Sequence, residues 1–257
     1  MADLIPSDLT SLDRAALGWF LLAWLGYGQL IHHLRSPRSI TARLRGIRRA
    51  WMHTMLGRDN RITDASLIGH VVHSATFFAS TTMVATAALL SVLANFDHSF
   101  VALMDLAFTA KTSRALAEAK LLLLVLVFAH TFLKLTWAIR QLNYSVALIG
   151  AAPIKPDPVQ RDAIAGHIAA VLSLTVSSFN AGIRGYYFAL AVLAWLLGPG
   201  TFALATSGIV AMLLWRQFGS ETAEAIRLSH VVLIGEAASA DRRDESVAHG
   251  LPAGRGA

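Results

Sequence analysis

No cysteine occurs anywhere in the 257 residues. That absence excludes disulfides, thiolate metal sites, thiol nucleophiles and iron–sulfur clusters, while leaving the compartment open. Charge is scarce as well: 15% of the residues are charged, against about 25% in an ordinary soluble domain. Acids are the scarcer sign, 16 against 22 basic residues. No phosphate-binding Walker loop, dinucleotide fingerprint or nucleophile elbow occurs in a usable context. His70 and His73 lie three apart but lack the glutamate of a metalloprotease helix. A haem between those two and His130 is conceivable, yet polar helix ends and one packed histidine account for them more simply. The expectation is therefore no cofactor, no metal and no catalytic residue.

What the chain has in quantity is apolar sequence, 55% of its residues, bunched into long runs as lipid requires. The first run is Ala15–Ile31, "AALGWFLLAWLGYGQLI", with Trp19, Trp24 and Tyr27 as belt aromatics. The preceding "MADLIPSDLTSLDR" lacks the positive start of a cleaved signal, so this run is expected to stay as an anchor. A second run covers about 67–93, where Ala75 and Ala79, and Ala87 and Ser91, are small residues four apart that let helix backbones approach. An interfacial helix is expected from about Ser99 to Arg114. The third run, 121–139, is about 29 Å long as a helix, close to the hydrocarbon thickness. Asp157 and Pro158 then suit a helix start. The apolar stretch 183–215 would be about 50 Å long as one helix, too long without steep tilt. "GPG" at 198–200 favours two spans instead, 183–198 and 200–215. These assignments predict an all-α polytopic bundle of five spans, or four if 183–215 is one bent helix. It forms a single membrane domain over 1–240, and the polar tail 241–257 is expected to be disordered.

The net charge of +6 is concentrated. Positions 34–66 hold eight arginines against two aspartates, which equals the excess of the whole chain. Beside a membrane span such a basic stretch points to topology and anionic lipid rather than nucleic acid. Within it, Leu44, Ile47, Trp51 and Met55 recur at helical spacing. A basic amphipathic helix over about 40–56 is expected in the headgroup plane, with Arg43, Arg45, Arg48 and Arg49 on lipid headgroups. The arginines predict that 34–66 faces the cytoplasm of an inner membrane, with the N-terminus outside and the C-terminus inside.

Two clusters carry polar groups into the apolar runs. In "FAHTFLKLTWAIRQLNYS", Lys134 lies six residues before Arg140, about 9 Å deeper, and His130 about 15 Å deeper. Snorkelling explains Lys134 alone; the shared helical face of His130, Lys134 and Gln141 points into the bundle. In "SFNAGIRGYYFALA", Asn180, Arg184 and Tyr187 share a face that Gly182 and Gly185 thin. An interface belt with an anchoring arginine is the simpler account of this cluster. The sharper reading is an anion-binding mouth lined by Lys134, Arg140, Asn180, Arg184 and Tyr187, with Asp59 and Asp64 as counter-charges.

Several of these stretches, "LGWFLLAWLGY", "RDNRITDA", "SATFFASTT", "FLKLTWAIRQLNY" and "FNAGIRGYYFALA", occur in the order of a known family. Over roughly 12–225 the chain resembles the membrane proteins grouped as domain-of-unknown-function family 599. The resemblance implies a multi-pass membrane protein of a kind found in bacteria and plants, and it carries no catalytic role. Its motif positions correspond here to Arg58, Asn60, Arg61, Asp64, Lys134, Trp137, Arg140, Asn180, Arg184 and Tyr187. Two functions follow as expectations: a conduit for a small anionic solute with a cation-lined cytoplasmic mouth, or a non-enzymatic scaffold on anionic lipid. Either suits a homo-oligomer or a membrane-protein partner.

Overall fold

The computed structural model describes residues 9–33, 39–98, 100 and 112–248, and among these it is helical with no strand. Helix α1 spans Ser11–His33, α2 Ile40–Leu56, α3 Ile62–Ala94 and α4 Arg114–Ala151. Helix α5 spans Pro158–Ala194, α6 Pro199–Phe218 and α7 Glu221–Ala248. Four stretches are long and apolar enough to cross a membrane: Ile62–Ala94, Arg114–Ala151, Pro158–Leu197 and Pro199–Ile234. Helix α1 covers the expected first run but is not among these four, because its glycines, Tyr27 and Gln29 dilute the apolar residues. The expected interfacial helix from Ser99 falls almost wholly outside the described residues.

Helix boundaries follow local chemistry. Ser39 caps α2, its hydroxyl accepting from the Ala42 amide. Asp157 caps α5, its carboxylate accepting from the Gln160 amide while Pro158 opens the helix. At the far end α5 tightens into a 3₁₀ turn, Trp195–Leu197, and Gly198 takes a φ of 133°, which a side chain would disfavour. Thr201 donates to the freed carbonyls of Ala194 and Gly198, and the Trp195 and Phe202 rings stack at 4.7 Å across the corner. Residues 183–215 therefore form two helices joined at Gly198. Helix α7 continues through Ala248, past the polar boundary at Asp241 where disorder was expected, because alanine, glutamate and arginine favour helix.

The chain packs as two compact units. The first comprises the described residues of Met1–Leu34, His73–Ile139 and Ser177–Leu214. Its core centres on Phe20, fully buried, with Phe188 edge-on at 5.8 Å and Phe202 at 5.1 Å. Helices α4 and α5 meet closely: a Cβ at Gly185 would overlap the Thr131 side chain, and one at Gly182 would lie 2.6 Å from Leu135 Cγ. The Tyr186 hydroxyl ties α5 to α3, lying 2.8 Å from the Phe78 carbonyl and 2.6 Å from the Thr82 hydroxyl. Ala75 and Ala79 are buried, as their spacing predicts, whereas Ala87 and Ser91 are exposed.

The second unit comprises the described residues of Arg35–Val72, Arg140–Val176 and Trp215–Ala257. Here α2 packs on α7, where a Cβ at Gly46 would lie 2.9 Å from both His230 Nε2 and Ile234 Cδ1. The "RDNRITD" connector is a latch. Arg58 donates to both oxygens of fully buried Asp64, at 2.8 and 3.0 Å, and the Trp51 indole adds a third bond at 2.7 Å. Asn60 accepts from the Ile62 amide to start α3. Arg61 donates to the carbonyls of Ala152 and Pro153, at 2.8 and 2.6 Å, capping the negative end of α4.

The α4–α5 approach makes a direct forecast. Gly185→Ala should lower stability by about 1–3 kcal/mol through overpacking. Thr131→Ala in the same chain should restore part of that loss, read from thermal unfolding in detergent.

Candidate functional site

Two groups of charged side chains in the first unit lie among apolar residues, and they differ in how the charge is answered. One was not expected from sequence. Asp13 and Lys120 are 4% and 3% exposed, so two ionisable groups lie within an otherwise apolar core. Trp195 joins them: its indole donates to Asp13 Oδ1 at 2.8 Å, and its carbonyl accepts from Lys120 Nζ at 3.1 Å. The ammonium also lies 5.5 Å from the centroid of the same ring. Thr10 donates to the second Asp13 oxygen through its amide and hydroxyl. Burial pushes the Asp13 carboxyl up, but the bonds from Thr10 and Trp195 outweigh it, and the group sits below its ordinary value. Three helix ends are pinned together: the start of α1, the start of α4 and the end of α5.

The second group lies where α1, α4 and α5 converge. On α1, Trp24 and Tyr27 are one turn apart. Trp24 meets His130 of α4 edge-on at 5.2 Å. Tyr27, 6% exposed, lies under Arg184 of α5, whose guanidinium carbon is 5.3 Å from the ring centroid. Lys134 is one turn beyond His130 and half-buried, as is Arg184. Among the described residues neither Lys134 nor Arg184 forms an ion pair with a carboxylate.

The remaining sequence candidates fall elsewhere. Asn180 is exposed and Tyr187 is half-buried against the core of the first unit. Arg140 belongs to the second unit, is exposed, and donates through Nε to the Tyr144 hydroxyl at 2.8 Å. Asp59 and Asp64, read as counter-charges for the span cations, form ion pairs within the second unit. Asp59 pairs with Lys155 at 2.9 Å and Asp64 with Arg58.

The arginines of α2 are also largely answered by protein. Arg43 donates to the Ala223 carbonyl at 3.2 Å, Arg48 to the Ser173 hydroxyl at 3.0 Å, and Arg49 pairs with Asp162 at 2.8 Å. Burial, followed by the neighbouring Arg45, pushes Arg48 below its ordinary value, though an arginine stays charged at any physiological pH. Arg45 is exposed.

A signal for the Asp13–Lys120 pair was present in the sequence. Leu116, Ala117, Leu124 and Val127 lie at helical offsets −4, −3, +4 and +7 from Lys120, and all are buried. Periodicity alone puts this lysine on the inward face of α4. A lysine at the start of an apolar run reads instead as a boundary, and that reading hid it.

Taken together, the fold and its buried cations define a multi-pass, all-α membrane protein. The family model described as "Protein of unknown function, DUF599" matches residues 15–222. The chain belongs to that family. No curated protein and no solved structure matches it.

Removing the buried ammonium should be measurable in the same melting experiment. Lys120→Met should lower stability by about 1–3 kcal/mol, since the Trp195 carbonyl loses its donor, while Asp13 keeps its bonds from Thr10 and Trp195. Because the folded Asp13 value lies below the unfolded one, near 3.9, its contribution is complete above about pH 4. It disappears as pH falls through the folded value, so Asp13→Asn should flatten the acid limb of a stability–pH curve.

Proposed function

We propose that the chain is a conduit for a small anionic solute, with Lys134 and Arg184 as the cationic station of its first unit. The carrying observation is Arg184. A cation among apolar helices costs several kcal/mol unless it is paired, and its contact with Tyr27 returns about 0.5–2 kcal/mol. Lys134 adds a second positive charge with no carboxylate paired to it among the described residues. An anion is the counter-charge this arrangement lacks, and a guanidinium recognises one through several donors at once. Asn180 and Tyr187, of the same unit, line the approach.

The orientation is part of the same reading. Eight arginines between positions 34 and 66 favour the cytoplasmic side of an inner membrane, and with α1 crossing as a fifth span the N-terminus lies outside and the C-terminus inside. The scaffold alternative has less support, because three of the four arginines read as lipid contacts, Arg43, Arg48 and Arg49, have protein partners among the described residues. A homo-oligomer joined through the exposed Phe77, Met83 and Val84 of α3 fits either role.

Flux decides between them. Purified chain in proteoliposomes should pass chloride, nitrate, phosphate or acetate, followed by stopped-flow or isotope uptake. Lys134→Met and Arg184→Met should each reduce the rate about tenfold or more, and Arg184→Lys should fall between. If both methionine variants match the parent for every anion passed, the conduit reading is wrong.

A further inference from the structure

Provided that an anion answers the charge of Arg184, as proposed above, the surroundings of this side chain restrict which anion. Tyr27 covers one face of the guanidinium, and all five donors of an arginine lie in its plane, at the rim. Nη2 reaches towards α1 at Gly28, where a Cβ would sit 3.6 Å away and meet nothing else within 4 Å. Gly28 is itself exposed, as are Gln29 and Leu25, the latter one turn earlier on the same face and 57% exposed. The rim of donors therefore opens on the outer surface of α1, where the missing side chain of Gly28 leaves the way clear.

A planar rim of N–H groups matches a carboxylate or a phosphate, which it can hold by two parallel bonds. The apolar flank beside it suits hydrocarbon, as snorkelling arginines show in reverse. We infer that Arg184 and Gly28 form a seat for the oxyanion head of an amphiphile, reached from the exposed face of α1. The same chemistry is offered by the phosphate of an anionic lipid and by a soluble amphipathic carboxylate or phosphate. Inorganic anions would use the rim of Arg184 and gain nothing from Leu25.

Calorimetric titration of the full chain in phosphatidylcholine nanodiscs tests this, with decyl phosphate and inorganic phosphate as probes. Decyl phosphate should bind about tenfold more tightly or better. Gly28→Leu should remove that preference, and Arg184→Met should abolish binding of both probes. Gly28 is exposed, and among the described residues a Cβ added there meets Arg184 at an ordinary contact distance, so its leucine variant should melt with the parent and report on access. Loss of decyl phosphate binding when phosphatidylglycerol is added to the disc would support the seat and identify lipid as the occupant. Unaltered binding would support it with a soluble amphiphile as occupant. Equal affinity for the two probes overturns the amphiphile seat while leaving an anion site at Arg184. So does a Gly28→Leu chain that keeps the preference. Binding of decyl phosphate that survives Arg184→Met overturns the seat outright, and no binding of either probe removes both the seat and the anion reading.

Discussion

A positive charge held among apolar helices must be answered, and the forms of that answer organise this molecule. Lys120 is answered by Asp13 through the two ends of Trp195, in a network with almost no exposure to solvent. Arg58 is answered by the carboxylate of Asp64, and Arg61 by the carbonyls that α4 cannot bond within itself. Arg184 lies over the ring of Tyr27 and has no carboxylate paired to it among the described residues. The first three cases pin elements together, because each partner comes from a different helix or connector. For the fourth, a bound anion is the counter-charge proposed above.

Glycine decides where these charges can be placed. Gly182 and Gly185 flank Arg184 and bring α5 against Thr131 and Leu135 of α4, so the arginine is carried to a close crossing of helices. Without those two positions the helices would separate by the width of a side chain, and Arg184 would lose its contact with Tyr27. Gly28 plays the opposite part by keeping the outer approach to the guanidinium free of a side chain. Close packing on one side and openness on the other come from the same small residue. Helix termini add a further constraint: the carbonyls released at Trp195 and at Ala152 each accept from a cation, as the helix dipole favours.

Much of the architecture was legible from the chain. The apolar runs, the break at Gly198, the capping of α5 by Asp157 and the helix over 40–56 all appear where local rules place them, since each depends on residues a few positions apart. The length of α4 was less legible, because nothing in its polar ends breaks a helix, and hydropathy alone marks only the lipid-compatible part. The candidate site divides the same way. Lys134 and Arg184 stand out because charge in an apolar run is conspicuous, whereas Lys120 at the edge of a run does not. Asp59 and Asp64, expected as counter-charges, pair with Lys155 and Arg58, contacts that the spacing of the sequence did not single out.

By itself the sequence determined an all-α membrane protein of the DUF599 family, several of its helix caps and breaks, and which side chains put charge among apolar residues. These properties rest on backbone hydrogen bonding, hydropathy and local spacing, all of which act over a turn or two of chain. Only the tertiary structure decided which of those charges are neutralised. Asp13 meets Trp195 across 182 positions, and Tyr27 meets Arg184 across a separation of similar size. A Coulomb interaction depends on distance in space and on what has been excluded from between the charges, and neither can be read along a chain.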